Sequence, residues 1–168
     1  GAGAVTFNSI ATMPLEALVD LTSPADAVVG VPNDNDWPGA EIPAYAFDDK
    51  TSTKFLHFKG ETQATGAIIT PAAGSTVVKG ISFTTANDAV ERDPIAFELY
   101  GSQVGADGPW TLIASGDIVD FAGATAAARF TKNATPITFV NNTPYVSYQV
   151  MVTAVRAPAS ANSMQVSE

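Results

Sequence analysis

The sequence predicts an all-β domain, a sandwich or barrel of short strands. Three observations lead there. Short apolar and β-branched runs follow one another along the chain, turn residues separate them at short intervals, and no βαβ alternation signals a parallel sheet. A length of 168 residues is one domain's worth, enough to bury a full core without disulfides.

Taken in order, residues 5–10 (Val5-Thr6-Phe7-Asn8-Ser9-Ile10) alternate apolar and polar positions, as a half-buried strand does. Residues 15–21 fit either a short helical turn or a strand. Strand patterns follow at residues 67–70, 77–84, 96–100 and 111–115, then at 128–130 and 137–140 and in the long run 145–155. Turn residues lie between them: Pro71 and Gly74, Asn87 and Asp88, residues 105–109, and Asn141 with Asn142. No internal repeat is visible.

Composition narrows the function. The net charge of −9 argues against nucleic acid and anionic membrane as partners, since both need a basic surface. Charged residues are sparse at 15%, and without cysteine there is neither a disulfide framework nor a thiol nucleophile. Gly1-Ala2-Gly3-Ala4 lacks the basic region and apolar run of a signal peptide, so the start reads as a mature terminus or the edge of an excised module. No segment approaches the ~18 apolar residues of a membrane span. The expectation is a soluble piece of an exported protein.

Residues 46–55 (Ala46-Phe47-Asp48-Asp49-Lys50-Thr51-Ser52-Thr53-Lys54-Phe55) place Asp48 and Thr53 five apart in a polar loop between aromatic residues. Such a turn suits a hard cation, because calcium takes six to eight oxygens from carboxylates, hydroxyls and backbone carbonyls. Two later segments belong with it: Phe97-Glu98-Leu99-Tyr100-Gly101-Ser102 followed by Trp110, and the terminal Met164-Gln165-Val166-Ser167-Glu168. Together, in this order, the three resemble the discoidin domain, also called coagulation-factor type C, over roughly residues 20–168. Asp49 stands where that family usually has Gly, and Phe55 where it usually has Trp. Asp tolerates a left-handed backbone better than most residues, and Phe keeps the apolar plug while losing the indole N–H.

The resemblance implies a jelly-roll β-sandwich of two antiparallel sheets, with residues 1–19 as an N-terminal extension or extra strand. Phe83, Phe97, Leu99, Phe139, Tyr148 and Val150 would face inward, and function would sit in loops at one end. It also implies one structural calcium ion. Asp48 would give a carboxylate, Thr53 its hydroxyl and carbonyl, Tyr45 and Lys50 carbonyls, and Glu168 would close the cage from the last strand.

Catalysis finds little support. The lone histidine, His57, shares parity with Phe55 and Lys59, and a single strand histidine is more often structural than catalytic. No Gly-x-Ser-x-Gly elbow, His-Glu-x-x-His or phosphate loop is present. Residues 33–39 resemble the start of an EF-hand loop, with Asp34, Asp36 and Gly39 in place. Pro38 at the fifth position and Tyr45 where a bidentate Glu is required defeat it. The same loop carries Trp37, whose indole, if exposed, offers a platform for the apolar face of a sugar ring. Asn87, Asp88 and Arg92 supply the mixed donors and acceptors that sugar hydroxyls need. Resemblance to discoidin-like sugar binders adds His57 to Trp37 and Arg92 as candidate contacts. The expected function is a non-catalytic carbohydrate-binding module of a secreted or cell-surface bacterial protein, with polysaccharide as partner. The alternative is a structural or adhesive sandwich that packs on neighbouring domains or on copies of itself, with residues 1–19 completing the sandwich or donating a strand.

Overall fold

A computed structural model describes residues 18–168. The strand expected at 5–10 and the first three residues of the ambiguous 15–21 segment therefore lie outside the described residues; Leu18, Val19, Asp20 and Leu21 form no helix or strand. In chain order the strands are β1 (Ala27–Val31), β2 (Phe55–His57), β3 (Thr65–Thr70), β4 (Gly80–Ile81), β5 (Pro94–Ser102), β6 (Thr111–Asp117), β7 (Ile137–Thr138), β8 (Ser147–Val155) and β9 (Met164–Val166). A single helical turn, α1 (Val119–Ala122), and two 3-10 turns, Pro43–Ala46 and Val90–Arg92, interrupt them.

Five strands form an antiparallel sheet in the order β1-β3-β8-β5-β6. Against it pack two short pairs, β2 with β9 and β4 with β7. Backbone bonds from Thr84 N to Glu168 O, 2.6 Å, and from Ser167 N to Thr84 O, 2.9 Å, join these pairs edge to edge. The layers are those of an antiparallel sandwich, and the order is non-sequential because β8 returns between β3 and β5.

The core lies between the layers. On β5, Phe97 and Leu99 point inward while Glu98 and Tyr100 stay half-exposed, the period-two signature of a strand with one buried face. Phe83 and Tyr148 are buried with them, and Phe139 and Val150 pack on the same cluster while partly exposed. Phe55 from β2 and Met164 and Val166 from β9 close it from the second layer.

Several expected strands are shorter than their patterns. Residues 77–84 keep only β4, with isolated bridges at Thr76 and Thr84, and 137–140 keep only β7. Residues 128–130 form no strand. The physical reason is that side chains take ladder positions here. Phe83 N donates to Asn133 Oδ1 at 2.7 Å, and Thr131 N to Thr85 Oγ1 at 2.9 Å. Phe130 then turns left-handed at φ 55°, which a strand forbids.

Candidate functional site

Trp37 is positioned by what is missing beneath it. A Cβ on Gly30 would stand 2.6 Å from the indole carbons Cη2 and Cζ3, so only glycine at this point of β1 lets the ring lie on the strand. Phe55 and His57 meet the ring edge-on, with centroids 6.1 and 5.8 Å away. Trp37 is half-buried, with part of the ring packed on the core and part displayed. His57 is sealed at 0% exposure, which puts it beyond the reach of a ligand. Its Nδ1 accepts from Lys59 N at 3.2 Å, so the proton sits on Nε2. Asp34 Oδ1 stands 3.3 Å from Nε2 without the alignment of a hydrogen bond. Lys59 Nζ clamps the loop through Asp34, 2.8 Å, and Asp36, 3.1 Å. Pairing with Lys59 holds the Asp34 carboxyl below its usual range. The 33–39 loop is thus fastened to β2, and its acids are matched by a lysine.

The second loop, residues 86–93, is anchored by buried Ala86 and Asp93 at its ends. Asn87 and Asp88 face solvent, and Arg92 is half-buried with no hydrogen-bond partner for its Nε among the described residues. Residues not singled out from the sequence hold this loop. Gln165, fully buried on β9, donates from Nε2 to the carbonyls of Asp88 and Ala89. Lys54 Nζ bridges Asp88 Oδ1 at 3.2 Å, Gln165 Oε1 at 3.0 Å and Glu41 Oε1 at 3.6 Å. Burial works to raise the Asp88 carboxyl, yet the Lys54 hydrogen bond and charge leave it lowered. Arg129 forks Asp93 through both guanidinium nitrogens and bonds the Asp88 carbonyl at 2.9 Å.

Phe130, which follows Arg129, is an aromatic not singled out from the sequence as a contact. It is 49% exposed and left-handed, and its N–H donates to Ala86 O at 3.4 Å beside Asn87. Ala89 in the same loop is also left-handed, at φ 43°. Two non-glycine residues in that region, one in each of two segments joined by the Phe130–Ala86 bond, mark local strain of the kind that collects at functional sites. An exposed aromatic whose backbone is bonded to the segment carrying Asn87 and Asp88 can give area and directional hydrogen bonding together. Nothing in composition distinguishes this Phe130 from a strand residue, so the sequence carried no signal for it. Gln165 did have one, being a polar residue inside the terminal strand motif.

The oxygen-rich loop gathers most of its expected members. Asp48 is buried, and both its carboxylate oxygens accept from Thr53 Oγ1 at 2.9 Å. Thr53 Oγ1 also lies 3.0 Å from the Lys50 carbonyl, and Lys50 N donates to Asp48 Oδ1 at 3.1 Å. Asp49 takes the left-handed turn at φ 60°, as its substitution for glycine requires. Its N–H bonds Glu168 Oε1 at 3.1 Å across 119 residues of chain. Tyr45 sits three residues before Asp48, on the 3-10 turn Pro43–Ala46. Burial pushes the Glu168 carboxyl up, and the charges of Asp48 and Asp49 add to this. Its buried Oε2 has no hydrogen-bond partner. Hard oxygens, converging carboxylates and an orphaned Oε2 fit a small hard cation. Among the described residues no group of three or more His, Cys, Asp or Glu forms a metal cluster, so hydroxyl and carbonyl oxygens would have to complete the shell.

No family profile matches the chain, and no curated protein matches it by sequence. Solved structures do. CpGH89CBM32-5 of Clostridium perfringens, in complex with GalNAc-β-1,3-galactose, superposes at TM-score 0.64 with 10% identity, covering 88% of this chain and 95% of that one. The family 32 carbohydrate-binding module of C. perfringens NanJ, in complex with galactose, gives 0.59 and 12% over 85% and 90%. Chitosan-binding module 1 from a chitosanase/glucanase of Paenibacillus sp. IK-5 gives 0.61 and 12% over 89% and 95%. At such identities the likeness is one of fold: this chain has the discoidin-like, galactose-binding-like jelly roll.

Proposed function

We propose that this chain is a non-catalytic carbohydrate-binding module of a secreted or cell-surface bacterial protein, and that Phe130, Asn87, Asp88 and Arg92 form its glycan contact. The observation that carries this reading is the exposed, left-handed Phe130 beside a polar loop that Lys54, Gln165 and Arg129 hold rigid. Sugar rings offer an apolar face for an aromatic and hydroxyls for an amide, a carboxylate and a guanidinium. Preorganisation matters here, because a loop fixed before binding spends less of the contact energy on ordering. Galactose and GalNAc in the structural neighbours support terminal galactose-type sugars as the first ligands to try. Trp37 and His57 fix the neighbouring loop. A calcium ion held by Asp48, Thr53, Glu168 and the carbonyls of Tyr45 and Lys50 belongs to the same reading, and its work is structural.

Affinity electrophoresis and a glycan array test the reading directly. The unmodified chain is retarded by galactose-terminated glycans, and Phe130→Ala or Asn87→Ala weakens that retardation at least about tenfold, equivalent to about 1.4 kcal/mol. Silence across neutral glycans at high protein concentration sinks the assignment. Equal binding by both variants moves the site elsewhere on the fold.

A further inference from the structure

The oxygen-rich loop and the glycan loop are separate places on the fold, and one segment touches both. β9 runs on through Ser167 to Glu168. The Glu168 side chain reaches the oxygen-rich loop, where Oε1 accepts from Asp49 N at 3.1 Å. The Glu168 main-chain O accepts from Thr84 N at 2.6 Å, and Ser167 N donates to Thr84 O at 2.9 Å. On the same strand Gln165 holds the carbonyls of Asp88 and Ala89 in the glycan loop.

From Thr84 the contacts pass to the turn that carries Phe130. Thr85 N donates to Thr131 O at 3.0 Å. Thr85 Oγ1 donates to Ala128 O at 2.7 Å and accepts from Thr131 N at 2.9 Å, so one hydroxyl clamps both sides of the turn. Ala86 O accepts from Phe130 N at 3.4 Å. Thr84, Thr85, Ala86, Gln165 and Ser167 are all buried. Interiors packed this closely transmit strain rather than absorb it.

Charge gathers at the far end of this link. Asp48, Asp49 and Glu168 bring three carboxyls to one corner, and the charges of the first two act on the third. Like charges oppose the docked position of Glu168, and a hard cation among them reverses the sign. We propose that calcium in this cage and a glycan at Phe130 bind cooperatively, with Thr84, Thr85 and Ala86 as the link and Thr85 as the positioning residue for the Phe130 turn. This rests on the reading of Phe130, Asn87, Asp88 and Arg92 as the glycan contact. Cation-held Glu168 keeps Thr84 in place, Thr85 clamps residues 128–131, and the ring is presented before sugar arrives. Chelation lets the three carboxyls spread and the clamp loosen, so part of the contact energy goes into ordering the turn.

Calorimetry on the full chain tests this, with calcium chloride and the disaccharide GalNAc-β-1,3-galactose as probes. The disaccharide binds at least about fivefold tighter in saturating calcium than in excess EDTA, and by reciprocity saturating disaccharide tightens calcium by the same factor. Thr85→Val still takes up calcium, but its sugar affinity no longer responds to the ion; Thr85→Ser keeps the hydroxyl and restores the response. Equal sugar affinity in calcium and EDTA overturns the coupling and leaves the glycan contact standing. A calcium response as large in Thr85→Val as in the unmodified chain overturns the assigned link. Calcium uptake without sugar binding in either condition removes the glycan contact and the coupling with it, and sugar binding without calcium uptake removes the cage. Circular dichroism follows the chelated chain throughout. Its unfolding would make the dependence one of global stability and overturn the local link.

Discussion

Asp93 is buried, and Arg129 is the group that makes its charge tolerable there. Burial pushes the Asp93 carboxyl up while the guanidinium pulls it down, and burial prevails. Arg129→Met keeps the aliphatic stem and removes the fork. The variant loses about 3 kcal/mol at neutral pH in urea denaturation, the cost of stranding a buried carboxylate. The sign of the pH dependence follows. An acid whose folded pKa is raised stabilises the fold below its unfolded pKa and loses that contribution as pH rises through the folded value. The deficit of Arg129→Met is therefore smaller near pH 4 than near pH 7; an equal deficit at both assigns the loss to packing. Asp48 presents the complementary case. Asp48→Ala removes the acceptor shared by Thr53 and Lys50 and one carboxylate of the proposed cage. Calcium at a hundredfold excess over its dissociation constant stabilises the unmodified chain by about 2.7 kcal/mol, so EDTA lowers its melting temperature and leaves Asp48→Ala unchanged. A chelator-insensitive unmodified chain removes calcium from the fold.

At the scale of elements, β1 and the 33–39 loop act as one unit through Gly30 and Trp37. Gly30→Ala drives a methyl into the indole, and overpacking of this kind costs about 1–3 kcal/mol. In a Trp110→Phe background the Trp37 emission moves to the red as the ring is expelled; an unmoved spectrum with unmoved stability shows that the loop gives way instead. This pair also explains what a sequence can reveal. β5 and β8 were legible because both are long runs of strand-forming residues, and on β5 Phe97 and Leu99 alternate with half-exposed Glu98 and Tyr100. Residues 77–84 and 128–130 carry strand residues too, but Asn133 and Thr85 side chains take the ladder bonds, and nothing local announces a partner about 50 positions away. The packing of Trp37 was hidden for a related reason: the space that accepts part of its ring lies on β1, at Gly30. The Asp48–Thr53–Glu168 group was legible only through the resemblance of three ordered motifs, since Glu168 reaches the loop across 119 residues.

The whole molecule adds a field to these local contacts. Its net charge of −9 is carried by a chain with few cations, and Lys54, Lys59 and Arg129 are already engaged by acids. Among the described residues Arg92, Lys50, Lys79, Lys132 and Arg156 form no ion pair, but five scattered cations do not reverse the potential of seventeen acids. Polyanionic glycans are therefore repelled over the Debye length, which is about 30 Å at 0.01 M salt and about 8 Å at physiological ionic strength. Neutral galactose-type glycans feel none of this, and the proposed contact with them would rest on an aromatic face and short-range hydrogen bonds. Retention on a neutral galactan is expected to stay constant as salt rises from about 0.01 to about 0.15 M, while any retention on a sulfated or uronate-rich gel starts lower and increases as screening sets in. The opposite slope, tight capture by the polyanion that salt releases, would place the binding surface on cations, and the neutral-glycan reading would fall with it.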